Sequence, residues 1–141
     1  MRTPLTTSPY GLIQEELRGQ PWRLLVACVM LNMTSIKQVR PVIEQFFLMF
    51  PTAQDAAVAD QTTLAELLQP LGLHNRRAKS LIALSRAFDG CWHDVVELPG
   101  VGRYAADSYR IFVQGLIDVE PSDKKLQKYI IWAREQATRT Q

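Results

Sequence analysis

Leu24 to Leu31 form an unbroken apolar run, Leu-Leu-Val-Ala-Cys-Val-Met-Leu, opened by Pro21 and Trp22. The run is far shorter than the ~20 residues a membrane span requires. Read as a helix from Trp22 to Leu31, it is apolar nearly all round, and such a helix must be enclosed by other elements. The chain can supply them, since 47% of its 141 residues are hydrophobic. That is enough for one domain over residues 1–141 with a real core.

The remaining segments read as short helices with one apolar face. Ser8 can cap a first helix, with Pro9 at its first position and Gly19 at its end. Ser35 to Phe50 predicts a third helix, bent or delayed by Pro41. Thr52 caps a short helix through Ala59, and Asp60 another through Leu68. Pro70-Leu71-Gly72-Leu73 breaks the pattern. A longer helix, His74 to Phe88, follows with Ala78, Leu81, Ile82, Ser85 and Phe88 on one face and Arg76, Arg77 and Lys79 in its first turns. Asp89-Gly90 ends it. A short element, His93 to Glu97, precedes a helix reaching about Gln114, with Val101, Tyr104, Ala105, Ser108, Ile111 and Phe112 facing inward. Gly115 to Ser122 is a linker, and Asp123 to about Gln136 the last helix. The only strand-like stretch, Ile117-Asp118-Val119, cannot anchor a sheet, so the expected class is all-α, a bundle of many short helices.

The formal charge of +2 does not by itself mark a nucleic-acid binder; a local basic face would have to serve. Cys28 and Cys91 form no paired or metal-binding pattern, which points to a reducing, intracellular setting. Cys28, inside the apolar run, reads as a small core residue. The N-terminus lacks the apolar core of a signal peptide. His74 and His93 stand apart with no partner at metal spacing. Trp22, Trp92 and Trp132 read as packing residues.

Leu98-Pro99-Gly100-Val101-Gly102-Arg103-Tyr104 carries more chemical information. Two glycines around one apolar residue permit a sharp turn with positive φ, and Pro99 fixes its entry. The amides at the following helix N-terminus, with the helix dipole, favour a phosphate, and Arg103 adds a charge. The segment predicts a helix-hairpin-helix over about residues 93–114, with Pro99, Gly100, Val101, Gly102 and Arg103 on a nucleic-acid backbone, assisted by Arg76, Arg77 and Lys79. Such a grip positions a duplex and does not read its sequence.

Two aspartates compete for a chemical role. Asp107 lies between Arg103, four residues earlier, and Arg110, three later, and reads as an ion-paired surface residue. Asp123 follows Glu120-Pro121-Ser122 at a helix start. A helix N-cap is its ordinary role, and the same position tends to keep a carboxylate fixed and ionised.

With these residues placed, the chain resembles the helix-hairpin-helix (HhH-GPD) DNA glycosylase superfamily, which includes endonuclease III. It resembles most nearly the catalytic domains of the methyl-CpG-binding-domain thymine glycosylases. The stretches that carry the resemblance are Pro21-Trp22-Arg23-Leu24-Leu25, Leu31-Asn32-Met33-Thr34-Ser35, Leu67 to Leu73, Arg77-Ala78-Lys79, Leu98 to Tyr104, Asp107 to Phe112 and Asp123 to Tyr129. They span nearly the whole chain.

The resemblance implies that Asp123 is the catalytic aspartate, with Lys125 close to it. It implies that Tyr104 lines a base pocket where bifunctional relatives carry a Schiff-base lysine, so the enzyme is expected to be monofunctional, without lyase activity. Gln14 matches a pocket glutamine, whose amide suits the edge of uracil or thymine. Leu73 matches a leucine pushed into the duplex. Met33 stands where the thymine glycosylases carry an arginine wedge; methionine can still intercalate as an apolar wedge. No cysteine cluster is present in the chain, so no iron–sulfur cluster is expected. A Na⁺ or K⁺ at the hairpin carbonyls of Leu98 and Gly100 is the one ion the family suggests.

The implied activity is excision of a mispaired or modified pyrimidine, of thymine or uracil type and opposite guanine, from double-stranded DNA in base excision repair. A monomer in the bacterial cytoplasm or nucleoid, or in a eukaryotic nucleus, would carry it out. Two alternatives stay open at the level of sequence. One is a non-catalytic helix-hairpin-helix module that only grips DNA; the other is a base-modifying transferase on a glycosylase fold.

Overall fold

Helix α2 (Pro21–Leu31) is enclosed as its composition demands: Leu24, Leu25, Val26, Ala27, Cys28 and Met30 are at most 1% exposed. The coordinates, a computed structural model, describe residues 2–32 and 34–139. Met33, expected as an intercalating wedge, lies outside them. Around α2, in chain order, stand α1 (Ile13–Glu16), α3 (Ile36–Met49), α4 (Ala53–Ala57), α5 (Gln61–Leu68), α6 (His74–Phe88), α7 (Arg103–Phe112) and α8 (Lys124–Arg139). Helices α1, α3, α6 and α7 pack directly on α2, while α4 and α5 pack on α6. The fold is all-α; the one extended pairing among the described residues is an isolated antiparallel bridge between Arg2 and Leu116.

Local sequence sets most helix starts. Ser35 and Gln38 form a reciprocal capping box before α3, as do Thr52 and Asp55 before α4. Asp60 accepts the Thr63 N–H at 2.9 Å at the head of α5. Pro41 lies inside α3 without ending it. Ridges of aromatic rings join α2 to α3: Trp22 meets Phe46 and Phe47, and the Arg23 guanidinium lies 4.5 Å from the Phe47 ring centre.

The expectation for the N-terminus is corrected. Ser8 does not begin a helix. Its N–H and hydroxyl are held by the Glu15 carboxylate at 2.8 and 2.5 Å, and helix waits until Ile13. Ser8 therefore serves a tertiary acceptor rather than a local helix end. The preceding residues lie along the α7–α8 linker, where the Thr3 N–H donates to the Gly115 carbonyl at 2.9 Å. The expected His93-to-Glu97 element is one 3-10 turn, Val95–Glu97, capped by Asp94.

Candidate active site

The hairpin walls a cleft. Gly100 has φ of 78°, in the left-handed region where a side chain is strained, and it packs towards Ser80 of α6. Gly102 then caps α7, so Arg103 and Tyr104 stand in that helix's first turn. Cys28, Val29, Leu73, Arg76, Gly100 and Tyr104 line one lobe of about 460 Å³. Thr34, Ser35, Asp123 and Lys125 line a second of about 540 Å³. Tyr104 and Asn32 border both lobes.

Behind Tyr104 is a buried polar network. The Gln14 amide of α1 donates to the Tyr104 hydroxyl at 2.7 Å and to the Ser108 hydroxyl at 3.4 Å. Gln14 is only 2% exposed, and Ser108 fully buried. A buried amide left unpaired is costly, so the two hydroxyls fix its orientation. Burial pushes the Tyr104 phenol well above its ordinary range, with Cys28 and Asp123 adding to the effect and Gln14 opposing it. The Cys28 thiol is pushed up to about 12 by burial, with the Ser108 hydroxyl pulling the other way. It is therefore a neutral, inert thiol on the cleft wall. Ser108 was expected only to face inward, and its role as a partner of Gln14 has no sequence signal, because the two lie on helices distant in the chain.

Asp123 has one carboxylate oxygen on the Leu126 N–H at 3.0 Å, and its carbonyl accepts the Gln127 N–H at 2.9 Å. It is thus the N-cap of α8, and it lines the same lobe as Tyr104 and Lys125. Capping holds the carboxylate in place at the cleft. Asp107 pairs with Arg103 at 3.6 Å and Arg110 at 3.9 Å, as its spacing predicts, but it is 6% exposed and not a surface residue. Its carboxylate lies between the two arginine side chains of its own helix.

The expected basic contacts divide. Arg76, Lys79 and Arg103 are exposed, although Arg103 also donates to the Glu120 carbonyl at 2.9 Å. Pro99, Gly100 and Gly102 are exposed beside them, with Val101 half-buried. Arg77 is corrected: it is 6% exposed, and its guanidinium is spent on the backbone carbonyls of Leu71, Gly72 and Asn32. Leu73, by contrast, is 58% exposed at the rim, with φ of 49°.

Among the described residues, no group of His, Cys, Asp and Glu side chains is placed to hold a metal, and no helix is long and apolar enough to cross a membrane. The Leu98 carbonyl accepts the Val101 N–H at 3.2 Å.

An all-α protein in which a glycine hairpin opens the helix that walls a cleft falls in the helix-hairpin-helix class. Within that class, the family described as HhH-GPD superfamily base excision DNA repair protein matches residues 26–138, and the chain belongs to it. The methyl-CpG-binding domain protein 4-like protein of Arabidopsis thaliana is 41% identical over 124 residues, covering 86% of this chain and 28% of its own length. The thymine-DNA glycosylase of Aeropyrum pernix is 36% identical over 96 residues, covering 62% of this chain and 43% of its own. The solved structure of a thermostable thymine-DNA glycosylase superposes with a TM-score of 0.63 at 24% identity, over 71% of this chain and 51% of that one, a likeness of fold. The chain thus spans less than half the length of these curated relatives.

Proposed function

We propose that this chain is a monofunctional DNA glycosylase that flips a mispaired or modified pyrimidine, of thymine or uracil type and opposite guanine, from duplex DNA and hydrolyses its N-glycosidic bond. The observation that carries the reading is the meeting of the Gln14-held Tyr104 hydroxyl and the Asp123 carboxylate in one cleft. A module that only grips phosphates has no use for a buried amide–hydroxyl network at the floor of a pocket.

In this reading the hairpin from Pro99 to Arg103, with Arg76 and Lys79, holds the backbone through amides and charge. A Na⁺ or K⁺ at the Leu98 and Gly100 carbonyls would add a positive anchor for a phosphate. Leu73 enters the duplex as the target base leaves the stack, and a mispaired base costs less to extract. Both Gln14 N–H groups are engaged within the protein, so its carbonyl oxygen is the atom left to accept the imide N–H of thymine or uracil. Tyr104 packs against the base. As the C1′–N bond breaks, the sugar gains positive charge. Asp123 stabilises that charge and orients or deprotonates the attacking water, with Lys125 beside it. Tyr104 offers no amine for a Schiff base, so the product is an intact strand with an abasic site.

The test is a panel of duplexes carrying G·T, G·U and 5-substituted uracil pairs, incubated with the protein and then treated with hot alkali. Strand breaks should appear after alkali and not before it, and borohydride should trap no protein–DNA adduct. Absence of alkali-dependent breaks on every duplex would overturn the reading. Breaks without alkali would overturn its monofunctional part.

A further inference from the structure

We propose that Arg77 is a positioning residue: its buried guanidinium fastens the Leu71–Leu73 turn to the end of α2, so that Leu73 is presented to the duplex as a rigid wedge. The inference rests on the glycosylase reading for its consequence, and on geometry for its mechanism. Arg77 N–H groups reach the carbonyls of Leu71 at 2.6 Å and Gly72 at 3.1 Å on one side, and the carbonyl of Asn32 on the other. Asn32, Leu73 and Arg77 all line the same cleft lobe. A planar guanidinium can donate in several directions at once; a lysine ammonium is a point charge on a flexible stem and cannot reproduce that fork.

The second observation is the state of Leu73. It is the only non-glycine residue with positive φ among the described residues, and it is also a largely exposed leucine. Its own side chain gains little from that position. Strained backbone persists where its surroundings over-determine it. Here the preceding carbonyls are gripped by Arg77, and the Leu73 carbonyl accepts the Arg77 N–H at 2.8 Å. The same arrangement explains why a basic residue on the DNA-facing helix is turned inward while its neighbours Arg76 and Lys79 face solvent. A wedge must hold its shape against the stacked bases it displaces, and small misplacements of such groups cost on the order of 10²-fold in rate.

The experiment compares wild type, Arg77→Lys and Arg77→Met with a G·T duplex and an undamaged duplex. Hydrogen exchange followed by mass spectrometry is measured on the same proteins without DNA. Expected for Arg77→Lys is single-turnover base release lowered roughly 10- to 100-fold, affinity for undamaged duplex within about twofold of wild type, and an unchanged salt slope, because no phosphate contact is lost. Leu73→Ala should add little further loss in the Arg77→Lys background. Both variants should lose exchange protection at the end of α2 and around residues 71–73 together. Unchanged protection at either segment, or wild-type base release by Arg77→Lys, would overturn the proposal. So would a salt slope reduced by about one, the mark of a direct phosphate contact. If wild type releases no base from any duplex, the glycosylase reading falls, while the exchange data still decide whether Arg77 couples the two segments.

Discussion

The Gln14 amide and the Tyr104 hydroxyl, 90 residues apart in the chain, share a 2.7 Å hydrogen bond at the floor of the cleft. Removing one partner alone strands the other. Tyr104→Phe should therefore destabilise the protein by about 1–3 kcal/mol, the cost of an unpaired buried polar group. Adding Gln14→Leu should recover part of that loss, since the Gln14–Tyr104 pair is then gone while the buried Ser108 hydroxyl loses its Gln14 donor. Denaturant midpoints of the single and double variants check this, and a double variant less stable than Tyr104→Phe would refute the pairing as the cause.

Asp123 caps α8, and the proposed function gives it a second, separable duty in catalysis. Asn caps helices as well as Asp, so Asp123→Asn should melt within a degree or two of wild type, whereas Asp123→Ala should lose about 0.5–2 kcal/mol. Base release should fall on the order of 10²–10³-fold in both. Thermal melts and single-turnover assays on the pair separate capping from chemistry; an active Asp123→Asn would remove Asp123 from the catalytic role.

Leu73 trades stability for shape. A left-handed non-glycine residue costs roughly 1–2 kcal/mol, and glycine at the same φ escapes most of it. Leu73→Gly should accordingly melt at or above the wild-type temperature while releasing base more slowly. A clear drop in melting temperature would show that Leu73 is held by packing rather than tolerated under strain.

Alkaline pH should unfold the protein earlier than its helix content suggests. Burial raises the pKa of Tyr104, Tyr109, Tyr129 and Cys28, making all four weaker acids. Such groups stay protonated in the folded state while the unfolded chain releases their protons. Their contribution is whole below the unfolded values, near 9.0 for the thiol and 10.0 for the phenols, and is lost as pH rises beyond them. Melting temperatures from pH 7 to 11 should fall above about pH 9. Tyr104→Phe should reduce the steepness of that fall.

The two cysteines should react very differently. Cys91 is exposed, whereas Cys28 is buried with its thiol pushed up to about 12. Iodoacetamide on the native protein should label Cys91 alone, and both after denaturation, as read by peptide mass. Rapid native labelling of Cys28 would mean that the cleft opens to solvent more widely than its walls indicate.

Much of the scaffold was written locally. Pro21 and the apolar run that follows define α2 because a helix without a polar face has only one place to go. Ser35, Thr52 and Asp60 announce α3, α4 and α5 through side-chain caps that act within four residues. The hairpin from Leu98 to Gly102 and the cap at Asp123 were legible for the same reason, since φ preferences and N-caps are short-range properties.

Tertiary structure alone decided where polar side chains spend their hydrogen bonds. Ser8 has the composition of a cap, yet it serves Glu15, and no helix forms there. Arg77 has the spacing of a phosphate contact shared with Arg76 and Lys79, yet it turns inward onto the Leu71, Gly72 and Asn32 carbonyls. Asp107 has the flanking arginines of a surface ion pair, yet it is buried. Ser108 acquires its partner only when α1 meets α7. The sequence by itself determined the helices, the hairpin and the residue types of the candidate chemistry, because those follow from neighbours along the chain. Which of those residues face the cleft, and which hold its walls together, was settled by contacts between distant segments. A hydrogen-bonding group takes the partner that burial brings to it, whatever its neighbours in sequence suggest.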